Sequence, residues 1–515
     1  MDDGQVVKGI VDPFFFRSEV QFFGEVWNCQ SPEIHLFLKY LNEGRKAEAW
    51  RELTKLVERG YGFLKKMDGP FILVYFDRHQ RKGFFYRSFL CKSPLYYRQR
   101  GRQWLWSMAV PDLLEAGRSV LTQVDSDRVL DSYLHGGLPE TASFYRDIHR
   151  LPAGGLAEYE NERIRVRAFD VPSPQPHLMK WRTEDLMSYL HDAMVKRLLW
   201  REPGRREEKM GVLLSDGEQG PATVSLLKPF SGPLVAYMIN ERDTQVACVQ
   251  AQRISQLAEV PCVILEWEAA PKANALATWL PSFRLAASHL HYWREQCVHD
   301  QVTRLCYDAV FAASSAEARR PALFIHWERW RNNQPWSQAL FPTSTLFTKK
   351  AKEQLLAREL ELRSHHSRLW PMQSWLNEED ALFYTPFWRE EGLRFLYPAL
   401  SREWLEVAIS VPKKHALSLQ LLSGWMGLSA NLPALFAGPP ATVGRGGWVP
   451  PHLRAWTGKQ WLEEHPHLVE WQWVDPDQVM RLWTERGNMA TLWEEMRWMK
   501  QVEQWLGGLE RLTVS

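Results

Sequence analysis

Met210-Gly211-Val212-Leu213-Leu214-Ser215 is an uncharged apolar run that ends in a loop. Two similar runs follow, Leu234-Val235-Ala236-Tyr237-Met238-Ile239 and Pro261-Cys262-Val263-Ile264-Leu265-Glu266. Runs of this length suit buried strands and are too short for helices. Helical patterning separates them, notably from Asp243 to Ala258, and it precedes them from Leu186 to Trp200. Strand, helix, strand, helix, strand predicts a doubly wound parallel sheet. Pro321-Ala322-Leu323-Phe324-Ile325-His326 is a candidate fourth strand, and from about 345 onward the pattern is mostly helical.

Upstream the pattern changes. Phe71-Ile72-Leu73-Val74-Tyr75-Phe76 and Gly83-Phe84-Phe85-Tyr86 flank a polar turn from Asp77 to Lys82, which predicts a hairpin. Leu95-Tyr96-Tyr97 and Trp104-Leu105-Trp106 suggest further short strands. The first 115 residues therefore read as an α+β unit rich in antiparallel pairs. A short helix near Val129 to Leu134, then Gly136-Gly137 and a charged strand near Arg163 to Phe169, mark a junction. Val171-Pro172-Ser173-Pro174-Gln175-Pro176 reads as a proline linker. The expected division is 1–124, a junction over 125–176, and 177–515.

Composition narrows the function. The chain has 515 residues, 63 Lys plus Arg and 61 Asp plus Glu, for a net charge of +2. Neither a basic nucleic-acid coat nor a polyacidic tail fits that balance. No apolar window is long enough to span a membrane. The start, Met1-Asp2-Asp3-Gly4-Gln5, has no apolar core of a secretory signal, so a cytoplasmic location is expected. The cysteines, Cys29, Cys91, Cys248, Cys262, Cys297 and Cys306, form no C-x-x-C pair, which suits reduced, buried thiols. No Cys and His cluster has zinc-ligand spacing, and the adjacent His365 and His366 read as a surface pair. Tryptophan is abundant, with 26 copies. A stacking platform and helix packing are both compatible with so many rings, and the spacing of Trp493, Trp498 and Trp505 favours packing.

Several stretches, in shared order, carry a resemblance. Gly24-Glu25-Val26-Trp27-Asn28 is similar to an N-G-E-I-Y-N segment, and Met67-Asp68-Gly69-Pro70-Phe71 with Tyr75-Phe76-Asp77 to an L-D-G-x-F…Y-D stretch. Pro94-Leu95-Tyr96-Tyr97, Leu151-Pro152-Ala153-Gly154, Gly211 to Ser215, and Tyr397 to Glu403 with Val411-Pro412 continue the series. Together they resemble the asparagine synthetase family over nearly the whole chain, nearest in feel to its β-lactam synthetases and lasso-peptide cyclases. The resemblance implies a glutaminase-like (Ntn-type) antiparallel sandwich. A synthetase domain with an ATP-pyrophosphatase fold would follow it.

The same resemblance exposes departures. Glutamine hydrolysis in the family uses a cysteine directly after the initiator methionine, and Asp2 stands here. Ser31-Pro32-Glu33 occupies the neighbourhood of the family's amine-binding acid. The R-D-x-x-G-x-x-P pattern has become Arg87-Ser88-Phe89-Leu90-Cys91-Lys92-Ser93-Pro94. Loss of glutaminase activity is therefore expected. The ATP loop, S-G-G-x-D-S in the family, reads Ser215-Asp216-Gly217-Glu218-Gln219-Gly220-Pro221. Asp216 and Glu218 add charge that opposes phosphate, Gln219 replaces the metal-binding aspartate, and Pro221 lacks an N–H donor. The second acidic loop is matched to Leu323 through Arg331, where Glu328 is the one acid. Ser401 replaces a late aspartate, and Arg445 is a candidate for the family's basic residue.

Three functional readings follow. The first is a catalytically silent homologue that binds or scaffolds an active paralogue or a precursor peptide, with an oligomer in view and without cofactor or resident metal. The second is an ATP- and Mg²⁺-dependent amide ligase that adenylates a carboxylate and releases AMP and pyrophosphate. Ser215, Asp216, Gly217, Glu218, Gln219 and Gly220 would then line the nucleotide, with Glu328 and Arg445 as catalytic groups. The third, a nucleic-acid binder using Arg201 to Arg206 or Arg319-Arg320, gains little from a net charge of +2.

Overall fold

A computed structural model describes residues 8–11, 19–24, 26, 28–29, 31–91, 94–100, 103–108, 110–115, 117–129, 141–160, 163–173, 175–182, 185–186, 188–189, 192–193, 210–214, 234–240, 260–266, 309–312, 347–365, 394–396, 402–410, 462–463, 466–484, 499, 502–503 and 506.

The first half is built on strand β5 (Phe71–Asp77), all seven residues of which are buried. Such a strand must be covered on both faces, which is why its sequence shows no polar alternation. It sits between β2 (Glu19–Gly24) and β6 (Lys82–Arg87). Strands β10 (Gly155–Glu160) and β11 (Arg163–Ala168) complete a five-stranded sheet in the order β11-β10-β6-β5-β2. Its neighbouring strands pair antiparallel.

One face of this sheet presents Phe71, Leu73, Tyr75, Phe84, Tyr86 and Leu156 to a helical pair. Helix α1 (Pro32–Asn42) contributes Ile34 and Phe37, and α2 (Lys46–Glu58) contributes Ala49, Leu53 and Leu56. Those spacings of three and four residues put each set on one helical stripe. The other face presents Ile72, Val74, Phe76, Phe85, Ala157 and Tyr159. It packs on Tyr97, Trp104 and Trp106 of a second antiparallel sheet. That sheet holds β1 (Lys8–Val11), β8 (Gln103–Ser107), β7 (Tyr96–Arg100) and β9 (Ile148–Arg150), in that order. Each fully buried large side chain in this stack contributes about 1.5–3 kcal/mol.

The outer face of the second sheet is covered from far along the chain. Tyr96 and Ile148 share a core with Phe347, Ala351, Leu355, Leu468, Trp473, Val479, Met499, Val502 and Leu506. A backbone bridge joins Phe347 to Val474, and Thr348 N–H donates to the Trp473 carbonyl at 2.9 Å. The helix Lys349–His365 and the short helices Pro466–Glu470 and Pro476–Thr484 belong to this layer. In space the layers run helices, sheet, sheet, then a cap from the last third. Several tryptophans serve packing: Trp104, Trp106 and Trp473 are buried, and the Trp471 ring meets Trp473 edge-on, whereas Trp181 is exposed. Trp448, Trp456, Trp461, Trp493, Trp498 and Trp505 lie outside the described residues.

The second half carries a five-stranded parallel sheet in the order β14-β13-β12-β15-β16. Strands β12 (Met210–Leu214), β13 (Leu234–Asn240) and β14 (Cys262–Glu266) are the three apolar runs of the sequence. The strand on the other side of β12 is β15 (Ala309–Ala312), followed by β16 (Arg394–Leu396). The expected strand at 321–326 lies outside the described residues, as do the helix at 243–258 and residues 130–134 of the junction helix. The position beside β12 belongs to 309–312, a run whose Ala content makes it less apolar than its neighbours.

Candidate functional site

The stretch that resembles N-G-E-I-Y-N lies at the end of β2. Gly24 has φ +108°, and a Cβ there would fall 2.1 Å from the Pro70 carbonyl oxygen. Only glycine fits such a close backbone crossing. Beyond it, β3 (Asn28–Cys29) pairs with β4 (Met67–Asp68), so the two motif stretches lie side by side. Phe23 precedes Gly24, and its ring packs toward Trp106 with centroids 6.1 Å apart. A phenyl ring brings no N–H to this strand end, whereas acyl transfer needs donors for the developing oxyanion. Cys29 is buried, its Sγ lies 3.6 Å from the Ser31 carbonyl oxygen, and burial pushes its thiol up. A thiol held neutral is a poor nucleophile.

The side chains of Arg87, Ser88 and Asp77 hold backbone. Buried Arg87 donates from Nε to the Cys91 carbonyl at 3.0 Å and from Nη1 to the Leu151 carbonyl at 2.9 Å. Ser88 stands where the pattern has aspartate. Its hydroxyl accepts from Phe71 N–H at 3.1 Å and donates to the Gly69 carbonyl at 2.6 Å. Asp77 accepts from the N–H groups of His79 and Gln80 at 2.8 and 3.2 Å, closing the β5–β6 turn.

Two other motif stretches meet at the junction of the halves. Gly154, at φ +70°, accepts at its carbonyl from Phe169 N–H and Asp170 N–H, both at 2.9 Å. This turn presents Asp170, which is 4% exposed, to Arg402 at the start of the helix Arg402–Ser410. Arg402 Nη2 donates to both Asp170 oxygens, Tyr86 Oη donates to Oδ2 at 3.2 Å, and the guanidinium lies 4.4 Å from the Phe89 ring centre. Gln175 N–H donates to Ser410 Oγ at 2.7 Å and its side chain reaches Glu406. Burial raises the Glu406 carboxyl above its ordinary range, against the pull of Arg402.

In an open parallel sheet, ligands bind beyond the strand carboxyl ends where strand order reverses. Here that point lies between β12 and β15. The chain leaves β12 into Ser215-Asp216-Gly217-Glu218-Gln219-Gly220, directly at the switch. These six residues, Glu328 and Arg445 all lie outside the described residues. Because β15 is the neighbour of β12, the segment that directly follows the neighbouring carboxyl end is Ala313-Ser314-Ser315-Ala316-Glu317. Among the described residues, no group of three or more His, Cys, Asp or Glu gathers to hold a metal ion. No described helix is long and apolar enough to cross a membrane.

Residues 16–170 match the family described as the glutamine amidotransferase domain. That span covers β2 through β11, so residues 16–170 are glutamine amidotransferase-like. No curated protein matches the chain in sequence. Among solved structures, similarity is found to a U34-tRNA thiolase, NcsA from Methanococcus maripaludis, bearing a [4Fe-4S] cluster. It is 10% identical with a TM-score of 0.28, over 63% of this chain and 91% of that one. An allosteric regulatory enzyme of purine biosynthesis is 10% identical with a TM-score of 0.19, over 48% of this chain and 59% of that one. Glutamine phosphoribosylpyrophosphate amidotransferase from B. subtilis, complexed with ADP and GMP, is 8% identical with a TM-score of 0.19, over 62% of this chain and 60% of that one. At these scores none of the three carries an argument.

Proposed function

We propose that the chain is an asparagine-synthetase-type homologue whose glutaminase-like half hydrolyses no glutamine. That half is a rigid scaffold for the parallel-sheet half, and the whole binds a protein or peptide partner. The observation that carries this reading is Phe23 packed toward Trp106 at the end of β2, where its phenyl ring offers no N–H donor. The raised Cys29 thiol and the use of Arg87 on backbone carbonyls support it. In the second half, Asp216, Gln219 and Pro221 support weak or absent nucleotide binding, because they add a negative charge, remove a metal ligand and remove an N–H donor.

A second reading rests on the switch point between β12 and β15. An ATP-dependent amide ligase would place the nucleotide there, with Mg²⁺ on rearranged acids: Asp216, Glu218, and Glu317 or Glu328. Arg445 would then offset phosphate charge.

Two measurements separate the readings. Glutamate release from glutamine by the purified chain is expected to stay at the buffer rate. Calorimetric titration with ATP and Mg²⁺ is expected to give no heat, with a gain in a Asp216→Gly, Gln219→Asp, Gly220→Ser, Pro221→Ser variant. Micromolar binding by the native chain would favour the ligase, and AMP release with carboxylate and amine substrates would then be the assay. Glutamate release above the buffer rate would overturn the scaffold reading.

A further inference from the structure

Strand β11 reads Arg163-Ile164-Arg165-Val166-Arg167-Ala168 and forms one edge of the five-stranded sheet. Among the described residues it pairs with β10 alone. All six of its residues are exposed or half-buried. Its parity is fixed by the Phe169 N–H bond to the Gly154 carbonyl. Together with the register Leu156↔Arg167 and Glu158↔Arg165, that bond turns the backbone groups of the arginines inward to β10. The N–H and C=O groups of Ile164, Val166 and Ala168 therefore point out of the free edge.

The two faces of this edge differ. Ile164 and Val166 lie on the inter-sheet face, packed against its core. Arg163, Arg165 and Arg167 lie together on the other face, opposite Glu160, Glu158 and Leu156. Arg167 is held by Glu158 at 2.8 Å and stacks over Phe169, with Lys65 over the same ring. Glu160 is engaged by Lys82. Arg163 and Arg165 have no ion-pair partner among the described residues, so the row keeps positive charge.

From this juxtaposition we infer that β11 is a docking edge for an extended peptide of alternating acidic and apolar residues. The peptide adds a sixth strand through the outward N–H and C=O groups. Its acidic side chains fall beside Arg163, Arg165 and Arg167, and its apolar ones extend the surface of Ile164 and Val166. Period-two alternation puts each set on its own face. A second copy of the chain is the wrong occupant, because antiparallel β11 against β11 sets arginine against arginine, and like charges directly opposed destabilise a pair. The row thus opposes self-association and favours an acidic strand.

The test is fluorescence anisotropy on the full chain with a labelled peptide, (Asp-Val-Glu-Ile)₂. Controls are a peptide of the same composition with acids and apolar residues in separate blocks, and a single-stranded RNA of ten uridines. The alternating peptide is expected to bind, with the blocked peptide at least tenfold weaker. Arg163→Glu with Arg165→Glu is expected to weaken binding tenfold or more. Val166→Pro removes one outward N–H while leaving the ladder to β10, and is expected to weaken binding several-fold beyond a Val166→Ala control that loses similar packing but keeps the N–H. No binding of the alternating peptide overturns the inference. So do equal binding of the blocked peptide, preference for the RNA, and a Val166→Pro effect no larger than that of Val166→Ala. The inference deepens the peptide-binding part of the proposed function; glutamate release and ATP titration test the rest of that reading separately, so the two failures are distinguishable.

Discussion

Arg402 and Asp170 are 232 residues apart in sequence, and one guanidinium nitrogen of the first donates to both carboxylate oxygens of the second at 2.9 and 2.8 Å. The carboxylate is 5% exposed and the guanidinium side chain 29%. The pair fastens the sandwich to the helix Arg402–Ser410 in the second half.

Removing the cation alone strands a buried carboxylate. Arg402→Met is expected to destabilise the protein by about 3 kcal/mol, the lower end for breaking a buried pair, because Arg402 is partly solvated. Arg402→Met with Asp170→Asn should recover part of that loss. Urea unfolding of the two variants measures both. Equal stability of Arg402→Met and the native chain would show that the pair does not fasten the halves.

The Gly24 crossing admits no side chain. Gly24→Ala forces a Cβ to 2.1 Å from a backbone oxygen at φ +108°, so the strand end must shift. The expected cost is more than about 2 kcal/mol. Gly44, with open space around it, is the matched control and should lose less. A smaller loss at Gly24 than at Gly44, read from thermal melts, would contradict the close approach.

Ser88 bridges Phe71 N–H and the Gly69 carbonyl inside the core. Ser88→Ala leaves both backbone groups short of a partner. The expected loss is about 1–3 kcal/mol. Chemical denaturation checks it, and a neutral result would mean that other groups replace the hydroxyl.

Glu406 sets a pH dependence. Burial raises its carboxyl above the ordinary value of 4.5, so the folded protein holds this proton more tightly than the unfolded chain. Its stabilising contribution is complete below that value and is lost as pH rises through the raised folded value. Glu406→Gln keeps a neutral group at every pH. The variant should melt higher than the native chain at about pH 7, with the difference shrinking toward about pH 4. Melting curves across that range decide it, and a constant difference would assign the effect to packing.

The sandwich lacks its last layer without the chain's final third. A fragment ending at residue 176 would expose the face carrying Tyr96 and Ile148. It is expected to bind a hydrophobic dye and to self-associate, whereas the full chain does neither through this face. A monomeric fragment with cooperative melting and no dye binding would establish that residues 1–176 fold alone, as the linker-based division expects.

Much of this architecture is legible in the residues. The unbroken Phe71–Phe76 run is consistent with a buried strand, and it forms one with every residue buried. The runs at 210–214, 234–240 and 262–266 are strands, as short unbroken apolar stretches between helical patterns lead one to expect. Other features were hidden. Ala309–Ala312 carries little apolar signal and gains its place beside β12 from parallel pairing. Nothing in the Arg163–Ala168 pattern says which of its neighbours is missing, because an edge is a property of the sheet.

By itself, the sequence determined many of the local conformations and the two-part order of antiparallel and parallel elements. Those depend on hydropathy, backbone freedom and side-chain chemistry, all carried within short windows. The tertiary structure alone decided that Leu468, Trp473 and Leu506 complete the sandwich, that Asp170 meets Arg402, and that β11 is left at an edge. Contacts between residues hundreds of positions apart depend on how faces of complementary area come together, and no local pattern encodes that pairing.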